Sequence, residues 1–266
     1  MRLAGAQPGF WTKTVRPRNF EAGSTYPVVV HVYGGPHAQM VQAELRDQLL
    51  DQWLADQGFI VVAMDGRGTP GRGRDWERAM RRAFAEVPLT DQIAALQALG
   101  REFPELDLER VGIHGWSFGG YLAALGALRR PDVFKAATAG APVTDWLDYD
   151  THYTERYLGV PADERDEVYR RNSLIEDAPN LRVPLLLVHG TADDNVFFRH
   201  SLKLADALLR AGRNFEVLPL AGFTHRVPDP VVMERLWQRR AEFFRRHLGE
   251  PRPRGSAGTP LPAIMR

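Results

Sequence analysis

The chain has 266 residues, enough for one large domain that buries roughly three-quarters of the surface its unfolded form would expose. Its 34 Lys and Arg nearly cancel 33 Asp and Glu, and a net charge of +1 gives no electrostatic reason to expect a nucleic-acid or anionic-membrane partner. Cysteine is absent, which excludes disulfides and a thiol nucleophile, and no apolar run approaches the ~20 residues that a membrane span needs.

Residues 1–14 read as an irregular segment without the apolar core of a secretory signal. The compartment is left open, and is cytoplasmic if the chain is complete. Val28 to Val32 is a continuous apolar run of the kind found in strands buried on both faces, and it ends in the loop Tyr33-Gly34-Gly35-Pro36. Leu45, Leu49, Trp53 and Leu54 recur at helical spacing up to Gly58, and a second buried strand follows at Phe59 to Met64. The Gly- and Arg-rich stretch from Asp65 to Arg74 lacks both the P-loop ending and the dinucleotide fingerprint, so it reads as a turn-rich connection.

Helical patterns are predicted at Trp76 to Phe84 and Ile93 to Leu99, then a strand at Arg110 to His114. Further strands fall around Ala136 to Gly140, at Pro184 to Val188 and at Phe215 to Leu220. Helices are predicted around Leu202, Ala205, Leu208 and Leu209 and over Val231 to Leu248. The arginine pairs 81–82, 239–240 and 245–246 are taken as solvated helix faces. Alternating strands and helices imply a mostly parallel, doubly wound α/β sheet flanked by helices, with its chemistry at the carboxyl ends of the strands. Residues 142–180 break the alternation and form an aromatic-rich excursion expected to cover that edge. Residues 250–266, rich in Pro, Gly and Arg, read as a disordered tail, which leaves 15–249 as the catalytic domain.

The chemistry centres on Gly115-Trp116-Ser117-Phe118-Gly119, a G-x-S-x-G motif between a predicted strand and a predicted helix. In that setting the serine sits on a sharp turn with helix N-terminal N–H groups beside its hydroxyl. A serine hydroxyl is a poor nucleophile near neutral pH, so it needs a base and an acid to orient that base, both after later strands in this order of elements. His225, after the last strand, has the right placement. Of Asp193 and Asp194 in the loop after Val188, Asp193 is taken as the acid. His31 and His114 lie inside strands, His247 on the terminal helix, and His189 at a strand end where a backbone hydrogen bond is as good an explanation as chemistry. The oxyanion of a tetrahedral intermediate would take the N–H of Phe118, with the second donor from the loop at Tyr33, whose hydroxyl could serve. No H-E-x-x-H or comparable spacing supports a zinc hydrolase, and no metal or cofactor is expected.

These residues resemble the catalytic α/β-hydrolase domain of the prolyl oligopeptidase family, and within it the dipeptidyl peptidase IV branch. The similar motifs are V-Y-G-G-P-H (32–37), D-G-R-G (65–68), G-W-S-F-G-G-Y (115–121), A-P-V-T-D-W-L-D-Y-D-T-H-Y-T-E-R-Y-L-G (141–159) and H-G-T-A-D-D-N-V (189–196). The resemblance implies a serine peptidase cleaving after Pro or Ala near the N-terminus of a peptide. It places Ser117, Asp193 and His225 in the triad and Tyr33 at the oxyanion. Phe118, Val143, Trp146, Tyr149, Tyr153 and Val196 would line the proline pocket, and Asn195 would bind the substrate carbonyl. The substrate would be a peptide or small ester, and a homodimer is left open.

The family places a β-propeller before this domain, and no propeller-length region stands here. The chain is therefore either a fragment of a longer protein or a bare hydrolase domain with an open cleft. An esterase using the same triad and a catalytically silent binding domain are the rival readings. The acidic run Asp163, Glu164, Asp166, Glu167 reads as a solvated surface.

Overall fold

The computed structural model describes residues 2–4, 9–45, 48–162 and 166–255. Two N-terminal strands, β1 (Arg2–Ala4) and β2 (Phe10–Val15), precede β3 (Ser24–Val32), β4 (Ile60–Asp65), β5 (Leu106–Trp116), β6 (Phe134–Gly140), β7 (Leu185–Gly190) and β8 (Glu216–Leu220). A short β9 (Arg252–Pro253) pairs with the start of β3. The order across the sheet is β1-β2-β4-β3-β5-β6-β7-β8. The pairings β1/β2 and β2/β4 are antiparallel, and every pairing from β4 through β8 is parallel.

Strand side chains alternate between faces, so one sheet feeds two cores. Val28, Val30 and Val32 of β3 pack with Ile60, Val62, Val111 and Ile113 under α3 (Glu86–Glu102) and α4 (Phe118–Arg129). Val29, Val61, Leu186 and Val188 face the other way, against Leu54 of α1 (Leu49–Ala55) and Trp237, Phe243 and Phe244 of α8 (Pro230–Leu248). The remaining helices are α2 (Arg74–Arg78), α5 (Thr151–Leu158), α6 (Glu167–Asn172) and α7 (Arg199–Arg210), with 3-10 turns at Trp146–Asp148 and Ile175–Asn180. Among the described residues no helix is long and apolar enough to cross a membrane. The architecture is an α/β-hydrolase fold.

Several expectations are corrected. Residues 10–15 are a strand, because Thr12 and Lys13 are buried and the Lys13 ammonium lies 2.7 Å from Asp51. Residues 252 and 253 belong to the sheet through Ser24 and Thr25, while 256–266 lie outside the described residues. The predicted helix from Leu45 begins at Leu49, and both leucines are exposed. The predicted helix over 76–84 ends at Arg78, and Arg82 beyond it has a φ of 59°, which no helix accommodates. Arg240 is buried rather than solvated, its guanidinium stacked 4.4 Å from the Trp237 ring centroid. On α7 the leucines at 202 and 209 face solvent, and Leu204 and Leu208 carry the packing.

Candidate active site

The turn from β5 into α4 allows no bulk. A Cβ on Gly119 would overlap the carbonyl oxygen of Val32, and one on Gly115 would meet that same oxygen and the Gly119 backbone. Ser117 sits at the reversal with φ 61° and ψ −121°, a conformation that a residue with a Cβ adopts only when the surroundings impose it. The imposing contacts are the Ser117 N–H to the Gly140 carbonyl and the Tyr121 N–H to the Ser117 carbonyl, each 2.9 Å. The N–H of Phe118 begins α4, where no carbonyl of the helix can take it.

His225 is brought to this turn by its neighbour. The indole N–H of Trp116 donates to the His225 carbonyl at 2.9 Å, and the two rings lie 6.4 Å apart. His225 Nδ1 is 2.8 Å from Asp193 Oδ2. An ionised carboxylate only accepts, so Nδ1 carries the proton and Nε2 presents a lone pair. Among the described residues no hydrogen bond joins the Ser117 hydroxyl to His225. Such links are commonly loose before substrate binds and tighten afterwards.

Asp193 is buried and Asp194 is exposed, which separates the two candidates for the acid. Asp193 Oδ1 accepts the N–H groups of Asn195 (3.0 Å) and Val196 (2.9 Å). Its Oδ2 is also 3.3 Å from His189 Nε2. Burial opposes ionisation of this carboxyl, but the hydrogen bonds from His189, His225 and Asn195 outweigh it and hold the group well below the usual carboxylate range. His189 is itself fully oriented. Its Nε2 donates to the Val196 carbonyl at 2.8 Å, so its Nδ1 accepts from the Ser201 hydroxyl at 2.8 Å. Sequence reasoning left a backbone hydrogen bond or chemistry open for His189; the bond to the Val196 carbonyl is the first of these, and the contact with Asp193 comes in addition.

Tyr33 follows β3 and packs against Phe118, with ring centroids 5.9 Å apart. Burial, with Tyr149 and Tyr157 nearby, pushes its phenol up to about 12, so it stays a protonated donor at neutral pH. The loop after Tyr33 is pinned by Asp65, whose two oxygens accept the N–H groups of Met40 and Val41, each at 2.9 Å. That gives the stretch from Asp65 to Arg74 a structural purpose the sequence did not show.

The expected aromatic residues do converge. Trp146 and Tyr153 stack at 6.2 Å with 12° between planes, and Tyr149 meets each edge-on at 5.8 and 5.5 Å. The Tyr149 hydroxyl donates to Asn195 Oδ1 at 3.2 Å, which ties the exposed Asn195 to the group. Tyr149 and Tyr153 are half-buried, whereas Trp146, Val143, Val196 and Phe118 are buried, and Phe118 packs on Trp146 with ring centroids 5.8 Å apart. Sequence reasoning missed Phe84, 4.6 Å from Trp146 and 5.3 Å from Phe118, because it lay in a predicted helix. Tyr169 is elsewhere, its hydroxyl on the Gly159 carbonyl. In the acidic run, Asp163 and Glu164 lie outside the described residues. Asp166 caps α6, and Glu167 faces Arg170 at 3.4 Å.

Among the described residues, one other group of ligand-type side chains stands on the α1 and α8 face of the sheet. His31, Asp51 and His114 have side-chain atoms within 4.8 Å of one another. Asp51 is already engaged by His31 (2.6 Å) and Lys13 (2.7 Å), and the His31 and His114 rings are stacked at 4.2 Å. This is an ion-paired core on the α1 and α8 face.

The prolyl oligopeptidase family profile matches residues 47–251. Dipeptidyl peptidase 8 of Mus musculus is 39% identical over 221 residues, covering 80% of this chain and 25% of that protein. Dipeptidyl peptidase 4 of Sus scrofa is 33% identical over 247 residues, 91% of this chain and 32% of that protein. The crystal structure of Porphyromonas gingivalis dipeptidyl peptidase 4 superposes with a TM-score of 0.85 at 33% identity, covering 93% of this chain and 35% of that one. The chain thus spans about a quarter to a third of these relatives. It belongs to the prolyl oligopeptidase family.

Proposed function

We propose that this chain is a serine peptidase domain that cleaves after proline or alanine near a peptide N-terminus, through Ser117, His225 and Asp193. The observation that carries the reading is His225, whose ring is bonded to the buried Asp193 and whose carbonyl is tethered by Trp116, the residue before a strained serine. His225 Nε2 takes the Ser117 proton as Oγ attacks the scissile carbonyl, and Asp193 stabilises the imidazolium that results. The developing oxyanion receives the Phe118 N–H and the Tyr33 hydroxyl. Collapse passes the proton from His225 to the leaving amine and leaves an acyl-serine. A water molecule, deprotonated by His225, then hydrolyses that ester. Proline suits the site because its ring is apolar and rigid, and the half-buried faces of Tyr149 and Tyr153 backed by Trp146 are too.

The test is the ratio of kcat/KM values for Xaa-Pro and Xaa-Gly anilides, measured beside a simple aryl ester. The peptidase reading expects the prolyl substrate to be preferred by about tenfold or more, the scale of one well-packed apolar contact. Hydrolysis of the ester with no anilide cleavage would replace this reading with that of an esterase using the same triad.

A further inference from the structure

The aromatic wall is held by a residue that does not touch it with its side chain. Asn172 is the last residue of α6, where helix carbonyls lack intrahelical partners. Its carbonyl oxygen accepts two side-chain donors at once, the Trp146 indole N–H at 2.9 Å and the Tyr121 hydroxyl at 2.7 Å. One donor belongs to the excursion and the other to α4, one turn after Ser117. A single oxygen therefore fixes the backing of the pocket relative to the helix that carries the serine.

The Asn172 side chain in turn fixes that oxygen. Its Oδ1 accepts the Ala85 N–H at 2.9 Å, and its Nδ2 donates to the carbonyls of Val168 (2.7 Å) and Arg82 (3.2 Å). The N–H can only donate and the two carbonyls can only accept, so the amide has one orientation and no unmet group. Asn172 is 1% exposed. Arg82, in its left-handed conformation, donates its N–H to the Tyr157 carbonyl at 2.9 Å, which carries the link on to the end of α5. Ala85 follows Phe84, the ring packed on Trp146. The five bonds of Asn172 thus tie α4, α6, the 82–85 segment and Trp146 into one unit, and through Arg82 that unit holds the helix bearing Tyr153.

We propose that Asn172 is the positioning residue that sets the spacing of the Trp146, Tyr153 and Phe84 pocket, and with it the selectivity for the residue cleaved. The proposal rests on the pocket reading above. Asn172→Asp keeps the size of the side chain but places a carboxylate oxygen against two carbonyls it cannot donate to, and Asn172→Ser shortens the side chain away from all three partners.

The experiment measures three quantities in the wild-type chain and both variants. They are the prolyl-to-glycyl anilide kcat/KM ratio, the rate of labelling by a small fluorophosphonate, and the hydrogen exchange of the Trp146 indole N–H by NMR, assigned with Trp146→Phe. A folded variant is expected to lose about tenfold in the anilide ratio, to label within about twofold of wild type, and to exchange the indole proton faster. An unchanged ratio together with an unmoved indole signal overturns the proposal. So does labelling that falls in step with the ratio, or the failure of both variants to fold, since each makes Asn172 a determinant of the whole domain. If the wild-type chain shows no prolyl preference, the pocket reading has failed, and the indole exchange alone still decides whether Asn172 positions Trp146.

Discussion

Asp193 and Asp194 are adjacent and chemically identical, yet only one can orient His225. Asp193 is 4% exposed, and its carboxyl is satisfied by two backbone N–H groups as well as two histidines, whereas Asp194 points to solvent. Because those bonds keep Asp193 ionised well into the acid range, its charge is present throughout the working range of a histidine base. Asp193→Asn should lower kcat by roughly ten-thousand-fold, since the amide favours the wrong imidazole tautomer, as in other triads. Asp194→Asn should stay within about threefold, as expected of a surface change. Steady-state kinetics on the two purified variants checks both, and a dead Asp194 variant would move the acid by one residue. The order of strands and loops placed Ser117, His225 and the Asp193 loop after the ends of strands, which is where the structure has them. A backbone bond for His189 was one of the readings its strand-end position offered, but its contact with Asp193 was not legible, because the fold of the loop rather than the order of residues brings the two together.

At the scale of elements, the elbow from β5 into α4 is tightly constrained. Gly119 lies against the β3 carbonyl at Val32, a backbone group that has no rotamer by which to yield. Gly119→Ala should therefore destabilise the domain by roughly 1–3 kcal/mol or more, the usual cost of overpacking, and lower activity further by displacing Ser117 and the Phe118 N–H. Urea denaturation with a labelling rate on the folded fraction separates the two effects. A variant as stable and as reactive as wild type would mean that the turn can relax. The central parallel strands were legible because runs such as Val28 to Val30 and Ile60 to Met64 are apolar and buried. β2 was hidden because its buried positions include Thr12 and Lys13, polar residues that acquire a reason to be inside only once Asp51 stands opposite. Phe84 was misplaced for a related reason. The apolar spacing from Trp76 suited a helix, and only the backbone at Arg82 shows that the chain turns there and lays the ring against Trp146.

Across the whole molecule, the two faces of the sheet divide the labour. One face carries the core beneath α3, α4 and the aromatic wall; the other is closed by α1 and α8 around a buried ionic cluster. In that cluster burial alone would raise Asp51, but His31 and Lys13 overcome it and hold the carboxyl at about 2, against an ordinary value of 3.8. A carboxyl lowered on folding adds stability above its ordinary pKa, and that stability is lost as pH falls towards the folded value. Asp51→Asn should cost about 2 kcal/mol at neutral pH, with the gap from wild type closing as pH falls from about 4 to 2. Thermal melts over that range read it directly, and a gap that stays constant with pH would assign the cost to packing alone.

The proposed mechanism has Ser117 as its reacting group. The direct measurement is to treat the folded 266-residue chain with a fluorophosphonate and map the adduct by peptide mass. The account predicts one equivalent of phosphonate on the peptide containing Ser117, and none on a Ser117→Ala variant that melts like wild type. No adduct on the folded wild-type chain, or an adduct that persists in the Ser117→Ala variant, would contradict it.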